Sequence, residues 1–154
     1  MDNSTACGKL VKNSGSPSET FAVGRELAKS IKRENIFLCG ELGAGKTTFL
    51  KGVGKGLGLK QPIISPTFQL VRKYKRNGFL KLIHIDLYRL NKVEEILHLG
   101  WHDFLENSAL TAVEWADRAA DIWPEKALFI NIRDTSPSER EIEICRDKDS
   151  VSWI

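Results

Sequence analysis

The apolar and polar positions of the chain follow patterns typical of both strands and helices. Short apolar runs at residues 35–39 and 109–115 predict buried strands, because buried helices need longer segments. In residues 17–32 the apolar side chains lie mostly on one helical face, as expected for a helix packed on a sheet. Residues 45–57 and 91–106 also have helical character. The chain therefore combines helices with strands.

Residues that begin and end these elements support the assignment. Ser16 is a suitable N-cap for the first helix, with a proline at the first helical position and Glu19 three residues after the cap. Gly58 is a stop signal for the second helix. Asn77 and Gly78 separate two apolar segments and form the strongest short signal for a β-hairpin. We therefore expect an antiparallel pair of strands around them.

The remaining elements complete the predicted fold. A short extended piece at residues 8–12 precedes the first helix, and a short helix covers residues 116–123. Residues 127–134 and 140–146 read as two more strands, joined by a polar turn. Because βα units are mixed with hairpins, we predict an α/β sandwich whose sheet is parallel in its centre and antiparallel at its edges. We assign no structure to residues 147–154.

Length and composition are those of a globular protein. We assign all 154 residues to one domain, with its core at about residues 8–145. Apolar residues make up 42% of the chain and charged residues 28%, which argues against disordered and fibrous classes. No apolar run approaches the roughly 20 residues that span a bilayer, and the N-terminus lacks the apolar middle of a signal peptide. We expect a cytoplasmic protein with no membrane partner.

Cysteine usage and net charge add little to this picture. Cys7, Cys39 and Cys145 are far apart and in no zinc-binding spacing, so free thiols are expected. The formal net charge of +3 is too small to indicate a nucleic-acid binder by itself. Neither property identifies the chemistry of the protein.

The segment GELGAGKT at residues 40–47 matches the phosphate-binding pattern G-x-x-x-x-G-K-[ST], with an apolar strand before it and a helix after it. Its glycines let successive backbone N–H groups point at phosphate oxygens, beside the positive end of the helix. Lys46 would reach the β- and γ-phosphates, and the Thr47 hydroxyl would bind Mg²⁺. This P-loop predicts a P-loop NTPase-like three-layer sandwich. We expect the nucleotide contacts to come from Glu41, Leu42, Gly43, Ala44, Gly45, Lys46, Thr47 and Thr48.

Two carboxylates that follow apolar runs are candidates for the metal site. Asp86 ends the run LIHID, and a strand end can place a carboxylate over the ligand-binding edge of a sheet. Glu114 follows the run ALTAV, and two such carboxylates suit one metal ion and one water. Asp86 can instead cap a helix or pair with Arg89, and Glu114 can be a surface residue. His84 either orients Asp86 or fills a half-buried position.

The segment SPTF at residues 65–68 lies where P-loop proteins often keep a loop that senses the γ-phosphate. Ser65 and Thr67 offer hydroxyl groups for a metal ion or a phosphate. An ordinary Ser-Pro turn explains the same residues. The segment by itself therefore leaves both interpretations open.

The chain resembles the TsaE (YjeE) family over about residues 8–145. The resemblance rests on five motifs in this order: GELGAGKTTF, SPTF, HIDLYRL, EEILHLGWHDF and AVEWADR. The resemblance implies a P-loop α/β domain with antiparallel strands beside a parallel centre. It implies that Thr47 and Glu114 are magnesium ligands and that Asp86 is the Walker B acid of the same metal site. It also implies that Thr67 supplies the switch-loop hydroxyl and that Trp115 is the essential tryptophan of the family. The implied catalytic residues are then Lys46, Thr67, Asp86, Glu114 and Trp115.

The function implied by the resemblance is a supporting one. Members of the family are bacterial ATPases required to form threonylcarbamoyladenosine (t6A) in tRNAs that read ANN codons. They bind the TsaB and TsaD subunits, which transfer the threonylcarbamoyl group, and they hydrolyse ATP with Mg²⁺ to support turnover. The departure at Phe68, where Tyr is common, retains this chemistry.

Three other classes of protein remain as alternatives. A small-molecule or nucleotide kinase shares the P-loop, but it needs an acceptor site and usually a lid bearing arginine. A regulatory GTPase would read guanine with NKxD, which NKVE at residues 91–94 only partly matches. An RNA-binding or scaffold module is suggested by residues 71–81, which carry five basic residues and no acidic ones. That segment either contacts tRNA or an acidic partner, or is an edge hairpin whose lysines prevent aggregation.

Overall fold

A computed structural model describes residues 8–66, 69–106 and 108–153 of the chain. Seven strands form one sheet: β1 Leu10–Ser14, β2 Ile36–Cys39, β3 Val71–Arg76, β4 Phe79–Asp86, β5 Leu110–Glu114, β6 Lys126–Ser136 and β7 Glu139–Asp147. The α-helices are α1 Pro17–Ser30, α2 Lys46–Gly56, α3 Val93–His98 and α4 Trp101–Leu105. Two 3-10 segments follow at Ala116–Ile122 and Lys148–Ser150.

The sheet is mixed, with the strand order β1-β7-β6-β2-β5-β4-β3. Strand β2 pairs in parallel with both β5 and β6, and β4 pairs in parallel with β5. Strands β1, β7 and β3 join antiparallel at the two sides of this parallel centre. The predicted α/β class with a parallel centre and antiparallel edges is confirmed. The carboxyl ends of β2, β4 and β5 meet at one edge of the sheet, and ligands bind at such an edge in α/β folds.

Two apolar cores cover the two faces of the sheet and give the fold three layers. On one face, Leu50 and Val53 of α2 pack with side chains such as Leu38 of β2. On the other face, Ile96 of α3 and Trp101 of α4 belong to a second core, which also contains aromatic side chains of the sheet. Strand β2 is buried on both faces, which explains its continuous apolar sequence.

Helices α1 and α2 approach each other so closely that only glycine fits at their contact. A Cβ atom on Gly24 would lie 2.1 Å from the Phe49 carbonyl oxygen, and one on Gly52 would lie 2.0 Å from the Phe21 carbonyl oxygen. Backbone atoms cannot move aside as a side chain can, so these glycines set the distance between the helices. The contact fixes α2, whose first residue is Lys46.

The predicted helix ends are present with small shifts. The Ser16 side chain accepts a hydrogen bond from the Glu19 N–H, and the Glu19 carboxylate in turn accepts one from the Gly15 N–H. The second helix ends at Gly56, and Gly58 adopts the left-handed φ of +77° that a helix stop requires. Asn77 and Gly78 both have positive φ, as a two-residue hairpin turn needs.

The helical character predicted for residues 91–106 is present, but it is divided between two short helices. The segment forms α3 and α4, because Gly100 adopts a left-handed φ of +70° between them. The segment after β5 is a 3-10 helix with a non-helical residue, Ala119, in its interior. Periodicity identified the apolar face of these segments but did not detect the breaks.

Residues 148–153, which follow β7 and have no predicted structure, are packed on the sheet. Val151 is buried, and the ring of Trp153 lies edge-on to Phe129 at a centroid distance of 5.8 Å. The Asn131 side-chain amide also donates a hydrogen bond to the Ser152 carbonyl oxygen. This terminal segment therefore contributes to the second core.

Cys39 and Cys145 are free thiols, as predicted, and both are buried. Burial, together with nearby carboxylates, raises the pKa of each thiol to about 12, so both remain protonated at neutral pH. Cys7 lies outside the described residues. None of the helices in the described ranges has the length and apolar character needed to cross a membrane.

Candidate nucleotide-binding site

The segment between β2 and α2 has the backbone of a glycine-rich loop. Gly40, Gly43 and Gly45 have φ angles of 147°, 79° and 107°, values that other residues rarely adopt. A Cβ atom on Gly40 would also lie 2.5 Å from the Ile132 carbonyl oxygen of β6. These glycines therefore allow the chain to turn sharply between the strand and the helix. Lys46 begins α2, so the positive end of the helix faces the loop.

Lys46 is held inside the loop by backbone oxygens and an aromatic ring. Its ammonium group lies 2.5 Å from the Gly40 carbonyl oxygen and 2.8 Å from that of Glu41. It also lies 4.0 Å from the centroid of the Trp115 ring, a cation–π distance. Burial lowers the pKa of Lys46, and the charges of Glu114, Asp117 and Asp86 oppose this effect. The loop thus keeps a cation beside backbone groups suited to phosphate oxygens.

Asp86 and Glu114 lie side by side at the carboxyl ends of neighbouring parallel strands. They are partners in the register of β4 and β5, and both are buried. Asp86 Oδ2 accepts a hydrogen bond of 2.8 Å from the Ser65 hydroxyl. Its Oδ1 accepts one of 2.9 Å from the Tyr88 N–H. The first residue of the SPTF segment is therefore in direct contact with a candidate site carboxylate.

Glu114 connects the P-loop to β4. The Thr47 hydroxyl donates to its carboxylate, with distances of 3.0 Å to Oε1 and 3.3 Å to Oε2. On the other side, His84 Nε2 lies 2.6 Å from Glu114 Oε2. Glu114 is only 2% exposed, so the interpretation as a surface residue is wrong. Thr47, Glu114 and His84 form one continuous polar contact between α2, β5 and β4.

The expectation for His84 needs correction. The imidazole is hydrogen-bonded to Glu114, and it is fully buried rather than half-buried. Its Nδ1 atom has no hydrogen-bond partner among the described residues. Residue 84 is two positions before Asp86 along one strand, but the hydrogen bond of its imidazole crosses to Glu114 on the next strand instead. Sequence spacing could not indicate this, because it depends on which residue of β5 lies beside His84.

Aromatic and cationic side chains surround Trp115 at the mouth of the site. Trp115 has a left-handed φ of 59°, an unusual conformation for a bulky residue. Its ring lies 5.1 Å from that of Tyr88, and the guanidinium carbon of Arg118 lies 5.4 Å from the Trp115 ring and 5.5 Å from the Tyr88 ring. Leu42, at the tip of the P-loop, is 75% exposed beside this group.

One of the predicted catalytic residues cannot be placed in the site. Thr67 lies outside the described residues, as does Phe68. The other predicted catalytic and metal-binding residues line one cavity of about 350 Å³: Lys46, Thr47, Asp86, Glu114 and Trp115. Four more of the predicted nucleotide contacts line the same cavity: Leu42, Gly43, Gly45 and Thr48. Glu41 lines a separate cavity instead. Ala44 is buried against the loop.

A second cavity, of about 380 Å³, lies on the other side of the P-loop and was missed by the sequence analysis. Gly43, Ala44 and Gly45 form its wall on the loop side. Its lining also includes Ser16 and Thr20 at the start of α1, Pro137 of the β6–β7 turn and Arg140 of β7. Ser16 was recognised only as a helix cap. The residues come from three distant parts of the chain, so no local motif could have identified the cavity.

Asp117 is another group that the sequence analysis did not identify. Burial raises its pKa, and Lys46 and Arg118 oppose the shift. Its Oδ1 atom is buried without a hydrogen-bond partner among the described residues. By contrast, residues 91–94, the partial match to a guanine-reading motif, line neither cavity beside the P-loop. Residue 92 caps α3 instead.

The glycine-rich loop between a central parallel strand and a helix, with carboxylates at the ends of two neighbouring strands, defines a P-loop NTPase-like protein. The particular family follows from comparison with known proteins. The family model described as "Threonylcarbamoyl adenosine biosynthesis protein TsaE" matches residues 14–142, and the chain belongs to this family.

Individual relatives agree with this assignment. The chain is 38% identical to the tRNA threonylcarbamoyladenosine biosynthesis protein TsaE of Bacillus subtilis, over 82% of this chain and 78% of that protein. It is also 38% identical to TsaE of Treponema pallidum, over 71% of this chain and 79% of the relative. A crystal structure of YdiB from Bacillus subtilis is similar, with a TM-score of 0.74 and 30% identity over 94% of this chain and 89% of the other. The family to which the chain belongs acts in t6A biosynthesis on tRNA.

Proposed function

We propose that this protein binds and hydrolyses ATP with Mg²⁺ as an accessory protein of tRNA t6A formation, acting on the TsaB–TsaD transferase pair. The observation that carries the ATPase part is the contact between the Thr47 hydroxyl and the Glu114 carboxylate, 3.0 Å apart, at the base of the P-loop. The part in t6A formation is supported by the family. Lys46 stands beside the contact and supplies the cation for the phosphates.

The donor groups at this position fit Mg²⁺. Thr47 and Glu114 offer oxygen atoms, which Mg²⁺ prefers to nitrogen or sulfur. The described residues contain no group of three or more His, Cys, Asp or Glu side chains arranged to hold a metal ion. Mg²⁺ in nucleotide sites usually takes most of its ligands from phosphates and water. Bound there, Mg²⁺ would neutralise charge on the phosphate oxygens.

Asp86 is suited to orient the attacking water. Both of its oxygens already accept a hydrogen bond, from Ser65 and from the Tyr88 backbone, so the orientation of the carboxylate is fixed. One lone pair on each oxygen remains for a water molecule. A fixed carboxylate beside the phosphates can hold the water in line and accept its proton.

The base and ribose of the nucleotide have space in the second cavity. Phosphates bound by the P-loop would leave the rest of the nucleotide on one side of the loop or the other, and the metal side is occupied in part by the rings of Trp115 and Tyr88. The opposite cavity of about 380 Å³ has Pro17, Pro137 and Arg140 in its lining. Its proline rings offer apolar contact to a purine, and its hydroxyl and guanidinium groups offer hydrogen bonds.

Reconstitution tests the accessory role directly. Purified TsaB and TsaD, with threonylcarbamoyl adenylate and unmodified tRNA, would be assayed for t6A over many turnovers, with and without this protein. We expect sustained t6A formation only when the protein and ATP are both present. The Thr47→Ala variant serves as the inactive control, because it removes the hydroxyl proposed to bind Mg²⁺, and thermal unfolding would check that it is folded. Equal product without the protein would refute the accessory role and leave the ATPase proposal standing.

His84 is expected to position Glu114 for the metal ion. Its imidazole is fully buried and lies 2.6 Å from Glu114 Oε2, so replacement by Leu should leave the carboxylate free to rotate. We expect His84→Leu to raise the Mg²⁺ concentration needed for half-maximal nucleotide binding by about tenfold, the usual cost of losing a partner behind a metal ligand. Fluorescence of a labelled ATP analogue, titrated with Mg²⁺, measures this.

Two further variants separate positioning from general stability. His84→Gln retains a side-chain N–H that can reach Glu114, and we expect it to recover part of the Mg²⁺ response. Ile83→Val, on the same strand, removes one buried methyl group and should weaken folding slightly without moving the Mg²⁺ titration. If His84→Leu titrates with Mg²⁺ as the unchanged protein does, His84 has no positioning role.

A further inference from the structure

The edge of the sheet opposite the P-loop carries two neighbouring cavities lined by basic side chains. The first, of about 380 Å³, is lined by Lys51 and Lys55 of α2 and by Lys60 after it. The second, of about 610 Å³, has Lys32, Arg33 and Lys81 in its lining, together with one carboxylate, that of Glu106. We call these six basic residues, together with Arg76, the basic face.

Arg76 joins the two cavities. The turn that follows α2 separates them, since Leu57 lines the second cavity and Gly58 lines the first. Arg76, at the end of β3, lies across this turn and donates a hydrogen bond to the Leu57 carbonyl oxygen. A Cβ atom on Gly58 would lie 2.6 Å from a nitrogen of its guanidinium group, which shows how closely it covers the turn. The basic face is therefore continuous.

The charges of the basic face are available to a ligand. None of its members forms a salt bridge with another described residue. Two nearby acids are already paired, Glu26 with Lys29 and Glu34 with Arg146. The negative end of α2 accounts for a cation at Lys55 and for the bond made by Arg76. It does not account for the cations further away.

An exposed aromatic side chain stands beside these cations. Phe79 is 71% exposed and pairs with Arg76 across the hairpin turn. Protection of the sheet edge against aggregation is a sufficient reason for the lysines at positions 73 and 75 of the outer strand, Lys73 and Lys75. Protection of the edge explains neither the exposed ring of Phe79 nor the lysines on α2, because α2 is not part of the sheet. Cations beside an exposed aromatic ring suit RNA, because phosphates bind the cations and an unstacked base stacks on the ring.

The basic face is separate from the candidate nucleotide-binding site. Lys46 is the first residue of α2, Lys51 lies five positions later, and the turn with Gly58 follows the last residue of the helix. At 1.5 Å per residue, Lys51 is about 8 Å and Gly58 about 18 Å from Lys46 along the helix axis. The lysines of the first basic cavity do not line the cavity that contains Lys46. A polyanion on the basic face therefore does not occupy the position of the ATP phosphates.

We propose that the basic face binds the phosphate backbone of structured RNA, with Phe79 stacking on an unpaired base. Charge complementarity favours a polyanion, and the exposed ring favours RNA over an acidic protein. The choice of tRNA as that RNA rests on the proposed function. The binding itself does not depend on ATP hydrolysis.

Binding of a fluorescently labelled tRNA transcript, measured by anisotropy without ATP, tests the proposal. We expect K51E/K60E to bind at least about tenfold more weakly than the unchanged protein and to show a shallower salt dependence, because phosphate contacts are lost. We expect Phe79→Ala to lose about fivefold or more in affinity while keeping the salt dependence.

The matched control is K12E/K126E, which makes the same change of net charge. Lys12 on β1 and Lys126 on β6 are exposed and line neither basic cavity. We expect the tRNA affinity of this control to stay within about twofold of the value that the change of net charge alone would give. Binding of a fluorescent ATP analogue should be unchanged in K51E/K60E, which checks the fold and separates this proposal from the proposed ATPase.

Three results would overturn the inference. One is the absence of salt-dependent tRNA binding by the unchanged protein. Another is equal loss of affinity in K51E/K60E and K12E/K126E, which would make the effect one of net charge only. The last is displacement of tRNA by polyglutamate at equal charge concentration, which would indicate an acidic protein as the partner. A failure of ATP binding in the unchanged protein would refute the proposed ATPase without affecting these measurements.

Discussion

Replacement of Lys46 by alanine is expected to weaken ATP binding by about 100-fold or more, because a buried and hydrogen-bonded charge at a ligand contributes several kcal/mol. The Lys46 ammonium is 5% exposed and rests on the carbonyl oxygens of Gly40 and Glu41 within the P-loop. It lines the same cavity as the P-loop backbone that would hold the phosphates. A fluorescent ATP analogue, titrated in the presence of Mg²⁺, measures the affinity.

Lys51→Ala is the matched control for this experiment. Lys51 lies on the same helix, is exposed, and lines no cavity beside the P-loop. We expect its ATP affinity to remain within about twofold of the unchanged protein, since surface charges at a distance are screened. Thermal unfolding of both variants distinguishes loss of binding from loss of fold. Normal ATP affinity in a folded Lys46→Ala variant would contradict the proposal that the P-loop binds the phosphates of ATP.

The second large effect is expected for Glu114→Gln. Gln has the shape of Glu without its charge, so the contacts with Thr47 and His84 can persist while the metal site loses its carboxylate. We expect the rate of ATP hydrolysis to fall by about 100-fold or more. ATP binding should stay within about threefold, because Lys46 and the backbone of the loop still hold the phosphates. Phosphate release and analogue binding measure the two quantities separately.

The control for Glu114→Gln is the same change on the surface. Glu94 lies in the first turn of α3, is exposed, and lines neither cavity beside the P-loop. We expect Glu94→Gln to hydrolyse ATP at the normal rate. Unchanged hydrolysis in Glu114→Gln would exclude this carboxylate from the reaction, whereas equal loss of binding and hydrolysis would assign it to binding alone.

The two expected results differ because Lys46 and Glu114 occupy different parts of one cavity. Lys46 belongs to the loop that surrounds phosphates in any bound nucleotide, so its removal affects binding from the start. Glu114 lies beneath the loop, against the Thr47 hydroxyl. Its contribution depends on the metal ion and on the reaction rather than on phosphate recognition. A kinase would show both effects too, so reconstitution with the transferase pair is the experiment that distinguishes the classes.

The amino-acid sequence by itself determined most of the fold and the P-loop. The strand Ile36–Cys39, the cap at Ser16 and the turn at Asn77 and Gly78 are local features, each set by residues close together in the chain. The parallel centre followed from the order of strands and helices. The break at Gly100, which divides the helical residues 91–106 into α3 and α4, is also a local feature that the pattern did not indicate.

Only the tertiary structure decided how the site is assembled. His84 contacts Glu114, 30 positions away, because parallel pairing brings β4 and β5 together. The second cavity joins the start of α1 to the turn with Pro137, and the basic face joins α2 to the hairpin. The physical reason is the same in each case. Periodicity and spacing describe neighbours along one element, whereas these contacts depend on the register and packing of elements that are far apart in the sequence.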